Sequence, residues 1–220
     1  MTNTVLTAVD TIHAYVNNIP ADNTSAIQQV NGYITERDPQ SEIKWTEADW
    51  SRFPHYIKKR IAQLPENDPS ADILDVEPGG ATDATALAWV KARHEAKQVA
   101  HIYVDKDNVP SLYTLLAGAD EVAQTYLWLA DWSLNETEAR AILGTDYGGF
   151  RVEMVQWASS SSNPDTILPG TNYTLKSAGC DLSVAIPFSS WKEPAKTVSL
   201  VSVMAVATYS DGSKKSWSVG

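Results

Sequence analysis

Two patterns of apolar and polar positions alternate along the chain. Short runs of branched, aromatic and small apolar residues are typical of buried strands, and the stretches between them carry capping residues and good helix formers. The predicted strands cover residues 5–10, 32–35, 57–62, 71–77, 99–104, 125–130, 150–157 and 180–185. The predicted helices cover residues 21–30, 46–53, 82–97, 110–117 and 135–143.

Eight strands that mostly alternate with helices predict a parallel sheet. With eight units, a closed barrel is favoured over the alternative of an open, doubly wound sheet. We therefore expect an α/β fold, a small (β/α)8 TIM-like barrel, as one domain over residues 1–187. This length is below the roughly 200–250 residues usual for such barrels, so several helices should be short or missing.

The pattern changes in residues 188–220, which we expect to form a β-rich extension. Residues 198–209 and 214–219 are rich in strand formers, and Asp211-Gly212 lies between them. An Asp-Gly pair between two such runs is typical of a β-hairpin. Because an isolated hairpin is only marginally stable in water, we expect it to pack on the barrel, on another chain, or on a further domain.

Composition and charge narrow the classes of partner. The formal net charge of −10 disfavours nucleic acid, because phosphate contacts need a basic surface. No apolar run is long enough for a membrane span, and the first residues lack the pattern of a secretory signal peptide. Cys180 is the only cysteine, so no intramolecular disulfide is expected. The histidines lack metal-ligand spacing and no phosphate-binding loop is present, so we expect neither a metal nor a cofactor.

The informative motif is the pair of carboxyl groups of Asp75 and Glu77, at the end of a predicted strand and before a Pro-Gly-Gly turn. Side chains alternate along a strand, so these two share a face and should point to the C-terminal mouth of the barrel, where active sites of such barrels lie. Neighbouring acids raise each other's pKa, and glycosidases use one protonated and one ionised carboxyl group. The alternative is a solvated strand end or a salt-bridged acid.

The order of short segments resembles that of the lysozyme-type muramidases of glycoside hydrolase family 25. The similarity extends over about residues 4–185 and consists of an acid at the end of the first strand, a D-x-E on the fourth and an acid on the last. These are Asp10 in TAVD, Asp75 and Glu77 in LDVE, and Asp181 in CDLS. Segments similar to the family's further strands are IYVD (102–105), LWLADW (127–132) and VQWAS (155–159).

The resemblance implies a role for each acid. Glu77 would be the general acid, and Asp75 would stabilise the developing positive charge or position the acetamido group of the substrate. Asp181 and Asp10 would orient water or tune the pKa of Glu77. Side chains near strand ends would bind sugar rings, although aromatic residues can equally fill the barrel. The candidates for substrate binding are Tyr103, Trp128, Trp132, Gln156 and Trp157.

Two functions follow as expectations. The first is a muramidase-like enzyme that cuts cell-wall peptidoglycan, encoded by a phage and released at lysis or carried on the virion. The second is a non-catalytic barrel of the same descent that binds glycans or builds a phage particle. The second is favoured by departures from the family pattern: GYITE on the second strand, Thr-Ile-His after Asp10, and Leu-Ser after Asp181.

Overall fold

A computed structural model describes residues 4–22, 24–35, 42–64, 70–78, 80–190 and 192, and the backbone of residues 203–208 and 214–219. Its main feature is a closed barrel of eight strands with one short strand, β7, outside it. The nine strands are β1 Leu6–Thr11, β2 Gln29–Tyr33, β3 Ile57–Ala62, β4 Ile73–Val76, β5 Ala100–Asp105, β6 Thr125–Ala130, β7 Asp146–Tyr147, β8 Phe150–Ala158 and β9 Cys180–Ala185.

The barrel closes through strands of mixed direction. Strands β1 to β6 pair in sequence order and in parallel, and β6 pairs in parallel with β8. The last strand, β9, pairs antiparallel with both β8 and β1 and thereby closes the barrel. We call the end at which the parallel strands finish the upper end, and the opposite end the lower end.

The helices around the barrel are few and mostly short. They are α1 Glu47–Ser51, α2 Asp83–Glu95, α3 Val109–Gly118, α4 Glu136–Ile142 and α5 Leu175–Ala178. The connection from β1 to β2 holds a 3-10 helix, His13–Asn18, and α1 and α5 are about one turn long. The predicted α/β barrel is therefore confirmed as a mixed α/β fold with a closed barrel. A complete (β/α)8 ring of helices is not confirmed in the described part of the chain.

Most predicted strands and helices lie close to those in the structure, with one clear exception. The helix predicted over residues 21–30 is wrong, because the described residues there form turns and then enter β2. Polar residues such as Asp22 and Thr24 favour turns as well as helix N-termini, so their presence did not decide between the two. Thr46 and Thr82, the first residues of two predicted helices, each form a capping box at the N-terminus of α1 and of α2.

Strand alternation separates two apolar layers. Leu74 and Val76 of β4 point outwards into the large core between the barrel and its helices. Ile73 of the same strand points inwards, into a second cluster that includes Tyr103, Trp128 and Met154. Every second residue of a strand faces the same side, so Asp75 also points inwards, above Ile73. The barrel interior is thus apolar in its middle and carries acidic groups above.

The lower end of the barrel is covered by the segment that follows β9. The ring of Phe188 stacks on the imidazole of His101 at 3.9 Å between centroids, and Nζ of Lys59 lies 4.3 Å from the Phe188 ring. Ser189 donates hydrogen bonds from its hydroxyl and its backbone N–H to the buried carboxylate of Glu153. The upper end is therefore the accessible mouth of the barrel.

The C-terminal residues form the predicted antiparallel pair of strands, β10 Val203–Thr208 and β11 Lys214–Val219. The Asp-Gly turn predicted between them lies outside the described residues. The two strands form a sheet separate from that of the barrel. Among the described helices, none combines the length and the apolar character needed to cross a membrane.

Candidate active site

Four carboxyl groups meet at the upper end of the barrel. Asp10 lies near the end of β1, Asp75 lies in β4, and Glu77 follows directly after β4. Asp181 is the second residue of β9 and pairs in register with Asp10. The structure therefore brings together all four of the acids that the sequence singled out.

The direction of β9 is what carries Asp181 to the mouth. In a parallel strand, a residue at this position would lie at the lower end. Here the chain stays at the upper end after β8, and the single turn of α5 ends at Gly179, whose φ of 64° lets the backbone reverse into β9. The side chain of Asn18 donates a 3.0 Å hydrogen bond to the carbonyl of Ala178 and fixes this loop to the segment after β1.

Asp75 is the most deeply buried of the four acids. It is 0% exposed, and one of its oxygens, Oδ1, has no hydrogen-bond partner among the described residues. Its Oδ2 accepts a hydrogen bond from Nε2 of Gln63 at 3.3 Å, and Tyr33 also donates to this carboxyl group. Burial, with a further contribution from the charge of Glu77, raises the pKa of Asp75 to about 8. Asp75 therefore holds its proton at neutral pH.

The turn after β4 closes directly over Asp75. The backbone N–H of Ala81 donates to the carbonyl of Asp75 at 2.8 Å, and that of Gly80 donates to the carbonyl of Glu77 at 2.8 Å. A Cβ atom on Gly80 would lie only 2.7 Å from the Asp75 carbonyl oxygen. The sequence thus needs glycine at this position so that the turn can hold Glu77 at the edge of the mouth.

Asp10 is held by an amide whose orientation is fixed. Nε2 of Gln156 donates to Oδ2 of Asp10 at 3.1 Å and to Oδ1 at 3.4 Å. Oε1 of the same amide accepts hydrogen bonds from the hydroxyl of Tyr103 at 3.0 Å and from Nε1 of Trp132 at 2.9 Å. Burial and the charge of Asp181 raise the pKa of Asp10 well above its ordinary value, and the bond from Gln156 opposes this rise.

Glu77 and Asp181 are the two acids that remain partly exposed. Partial burial, and then the charges of Asp181 and Asp105, raise the pKa of Glu77. Burial also raises the pKa of Asp181, although its Oδ1 accepts a 2.6 Å hydrogen bond from the backbone N–H of Ser160, which favours ionisation. These two groups can therefore exchange protons with a molecule bound at the mouth.

Two pockets border these acids. One, of about 300 Å³, lies between the turn after β4 and the start of α2, and Glu77 lines it together with Pro78, Thr82 and Asn108. The other, of about 180 Å³, is lined by Asp10, Tyr15, Tyr33, Ser160 and Asp181, among others. Carboxyl groups with raised pKa next to pockets are suited to general acid catalysis.

The predicted sugar-binding side chains divide into three groups. Trp128 is 1% exposed, packs edge-on against the Tyr103 ring and donates to the hydroxyl of Ser183 at 3.1 Å, which favours the alternative that it fills the barrel. Trp157 packs against the outer core beyond the barrel wall. Gln156, Tyr103 and Trp132 lie at the mouth, where their hydrogen bonds hold Asp10 in place.

Sequence reasoning missed Tyr33 and Gln63, which both hydrogen-bond Asp75. Tyr33 faces inwards in β2 together with Gln29 and Asn31, and this alternation is visible in the sequence as QVNGY. The strand predicted over residues 32–35 includes Tyr33, but the helix predicted over residues 21–30 leaves Gln29 outside this strand, so the shared inward face is not apparent from the pattern. Gln63 follows directly after β3, so its position depends on where that strand ends, which a pattern defines only within a few residues.

Within the described part of the chain, no group of three or more histidine, cysteine or acidic side chains has an arrangement that could hold a metal ion. The four acids form a cluster of carboxyl groups with raised pKa values beside two pockets.

Comparison of the chain with models of known protein families, with curated proteins and with solved structures finds no match.

Proposed function

We propose that this protein is a glycoside hydrolase of the muramidase type, built on a glycoside-hydrolase-like (β/α) barrel, that cleaves the glycan strands of bacterial peptidoglycan. The observation that carries the proposal is the convergence of Asp10, Asp75, Glu77 and Asp181 at the mouth of a closed barrel, with the pKa of each raised. The order of these acids along the chain, and the segments between them, resemble the muramidase family.

Glu77 is the proton donor in this proposal. It borders a pocket, is partly exposed, and has a raised pKa, as a general acid near neutral pH requires. Its proton passes to the glycosidic oxygen while the bond from that oxygen to the anomeric carbon breaks. Asp105 and Asp181 contribute by keeping the pKa of Glu77 high.

Asp181 is the second carboxyl group of the reaction. A glycosidase needs an ionised group that stabilises the positive charge on the sugar ring or activates water. Asp10 lines the same pocket as Asp181, but Asp10 and Asp75 are buried, whereas Asp181 is partly exposed. Asp181 also accepts a hydrogen bond from the Ser160 N–H, which favours its ionised form. Asp75, protonated at neutral pH and fully buried, acts as a support beneath Glu77 rather than as a charged group.

The experiment compares the wild-type protein with Glu77→Gln on purified Gram-positive peptidoglycan, by measuring the release of new reducing ends. Reducing ends report cleavage of a glycosidic bond and distinguish it from cleavage of the peptide. We expect Glu77→Gln to lose activity by roughly 10²–10⁴-fold, the usual contribution of a general acid. Glu95→Gln, an exposed change in α2, is the matched control and should keep full activity. Equal rates for wild type and Glu77→Gln would overturn the proposal.

A second candidate is a barrel that binds glycans or builds a phage particle without cutting. The observations in its favour are the complete burial of Asp75 and the separate sheet of β10 and β11, which offers strands for contact with a second copy or a virion neighbour. In that case the wild-type protein releases no reducing ends while remaining folded by circular dichroism.

A further inference from the structure

Tyr15 presents an exposed aromatic ring at the edge of the acidic mouth. It lies in the 3-10 helix after β1 and is 44% exposed. The ring rests on Gly179, since a Cβ atom on this glycine would lie 2.3 Å from Cγ of Tyr15. The absence of a side chain at residue 179 therefore lets the ring lie directly on the backbone of the loop.

Two hydrogen bonds hold this arrangement rigid. The hydroxyl of Thr11 donates to the carbonyl of Gly179, and Nδ2 of Asn18 donates to the carbonyl of Ala178. Both bonds join the segment that carries Tyr15 to the segment that carries Gly179. The loop on which the ring rests is thus tied to the segment after β1 before any ligand binds, and a preorganised surface loses little conformational entropy on binding.

The pocket beside Tyr15 combines this ring with polar groups. It measures about 180 Å³ and is also lined by Asp10, Tyr33, Ser160 and Asp181. This volume is below the roughly 300–1,000 Å³ of pockets for drug-sized ligands, so it suits one sugar ring rather than a longer chain. Carboxyl and hydroxyl groups beside an aromatic face match a pyranose, which has one apolar face and a rim of hydroxyl groups.

We propose that this pocket is a subsite for a single pyranose ring of the glycan, in which the sugar stacks on Tyr15 and hydrogen-bonds to Asp181 and Ser160. The proposal rests on the proposed function, because it assigns one sugar of the same substrate to the side of the mouth opposite Glu77. A glycan that occupies both this pocket and the pocket beside Glu77 places the bond between its sugars next to the carboxyl group of Glu77.

The test measures binding, without turnover, in the full-length Glu77→Gln protein. The probe is the β-1,4-linked tetramer of N-acetylglucosamine, titrated by isothermal calorimetry. Adding Tyr15→Ala should weaken binding roughly tenfold, as expected for the loss of one aromatic stacking contact. Adding Tyr15→Phe keeps the ring and should restore binding to within about twofold of the parent protein.

Tyr113→Ala is the matched control. Tyr113 is also an exposed tyrosine, 38% accessible, whose ring rests on a glycine, Gly149, but it contacts Phe150 at the start of β8, at the lower end of the barrel. This variant should bind the tetramer as the parent does. Circular dichroism and thermal melting of each variant show that a change in affinity does not come from loss of the fold.

The outcomes separate this proposal from the proposed function. Equal affinity of Tyr15→Ala and its parent, or no binding of the tetramer by the parent, overturns the subsite, whatever the activity of the wild-type protein on peptidoglycan. Binding that depends on the Tyr15 ring, in a protein whose wild type releases no reducing ends, supports the subsite and overturns the hydrolase.

Discussion

At the residue scale, Gln156 has both polar atoms of its amide engaged and is 2% exposed. Two donors, the hydroxyl of Tyr103 and the indole N–H of Trp132, bind its oxygen, so its nitrogen must point at Asp10. A carboxyl group that faces an N–H donor is favoured in its ionised form. Gln156 therefore opposes the effect of burial on Asp10, although the sequence suggested that it binds substrate.

Replacement of Gln156 by leucine should show how much this network contributes. The change leaves Asp10, Tyr103 and Trp132 without their partner, and buried polar groups without partners cost about 1–3 kcal/mol each when desolvated. Asp10 and Tyr103 are buried, whereas Trp132 is partly exposed and can bind water instead. We therefore expect the free energy of unfolding, measured with guanidinium chloride, to fall by roughly 2–6 kcal/mol. Tyr103→Phe removes only one of the donors and should cost about 1 kcal/mol. A loss for Gln156→Leu no larger than that for Tyr103→Phe would contradict this view of the network.

At the scale of elements, the sequence predicted the strands better than their directions. Branched and aromatic runs located β6 and β9 without error, and strand alternation correctly placed Asp75 inwards with Leu74 and Val76 outwards. The antiparallel direction of β9 was not predictable, because it depends on a long connection that stays at the upper end of the barrel. Sequence patterns alone therefore gave no reason to place Asp181 beside Asp10; that pairing came only from the family resemblance.

Strand β8 contains an irregularity that the sequence does not indicate. Leu127 of β6 pairs with Val152, whereas Trp128 pairs with Met154, so Glu153 is an extra residue in a β-bulge. The bulge turns Glu153 into the barrel, where it contacts Nε2 of His101 at 2.9 Å and accepts both hydrogen bonds from Ser189. Burial lowers the pKa of His101, so we assign a neutral imidazole that donates its Nε2–H. The hydrogen bonds from His101 and Ser189 outweigh burial and lower the pKa of Glu153, which keeps it ionised.

Loss of this buried carboxylate should destabilise the barrel. Glu153→Ala leaves His101 and Ser189 without their acceptor at the lower end, and each buried polar group without a partner costs about 1–3 kcal/mol. We expect a loss of about 3 kcal/mol in the free energy of unfolding, measured with urea. Glu136→Ala is the control: it breaks the exposed pair with Arg140 in α4 and should cost at most about 1 kcal/mol. Similar losses for the two variants would show that the His101–Glu153–Ser189 contacts do not hold the lower end closed.

At the scale of the whole molecule, acids at the mouth make the stability of the fold depend on pH. A carboxyl group whose pKa is higher in the native than in the unfolded chain retains a proton that unfolding would release. The contribution of this group to stability is fully present below its pKa in the unfolded chain. The contribution is lost as the pH rises through its pKa in the native protein. Asp10, Asp75, Glu77 and Asp181 all shift in this direction.

Other groups act in the opposite direction, but in a different pH range. Asp49, Asp131 and Glu153 have lowered pKa values, so their contribution is complete above the unfolded pKa of a carboxyl group, roughly 4. His101 also has a lowered pKa, and its stabilising effect is lost only as the pH falls below the unfolded value of roughly 6.5. Between pH 6.5 and 8, the pH dependence of the free energy of unfolding therefore comes mainly from the acids at the mouth.

Within that interval we expect the free energy of unfolding to decrease as the pH rises. Asp75, with its pKa of about 8 in the native state, is almost fully protonated at pH 6.5 and about half protonated at pH 8, while in the unfolded chain it is ionised throughout. One retained proton changes the free energy of unfolding by roughly 1.4 kcal/mol per pH unit, so with this partial release Asp75 alone accounts for a loss of about 1.5 kcal/mol between pH 6.5 and 8. Urea unfolding of the wild type and of Asp75→Asn at both pH values measures this loss. Because asparagine is neutral at both pH values, Asp75→Asn should reduce the wild-type pH dependence by about this amount. An unchanged dependence would mean that Asp75 is ionised in the native barrel, and that burial does not keep this carboxyl group protonated.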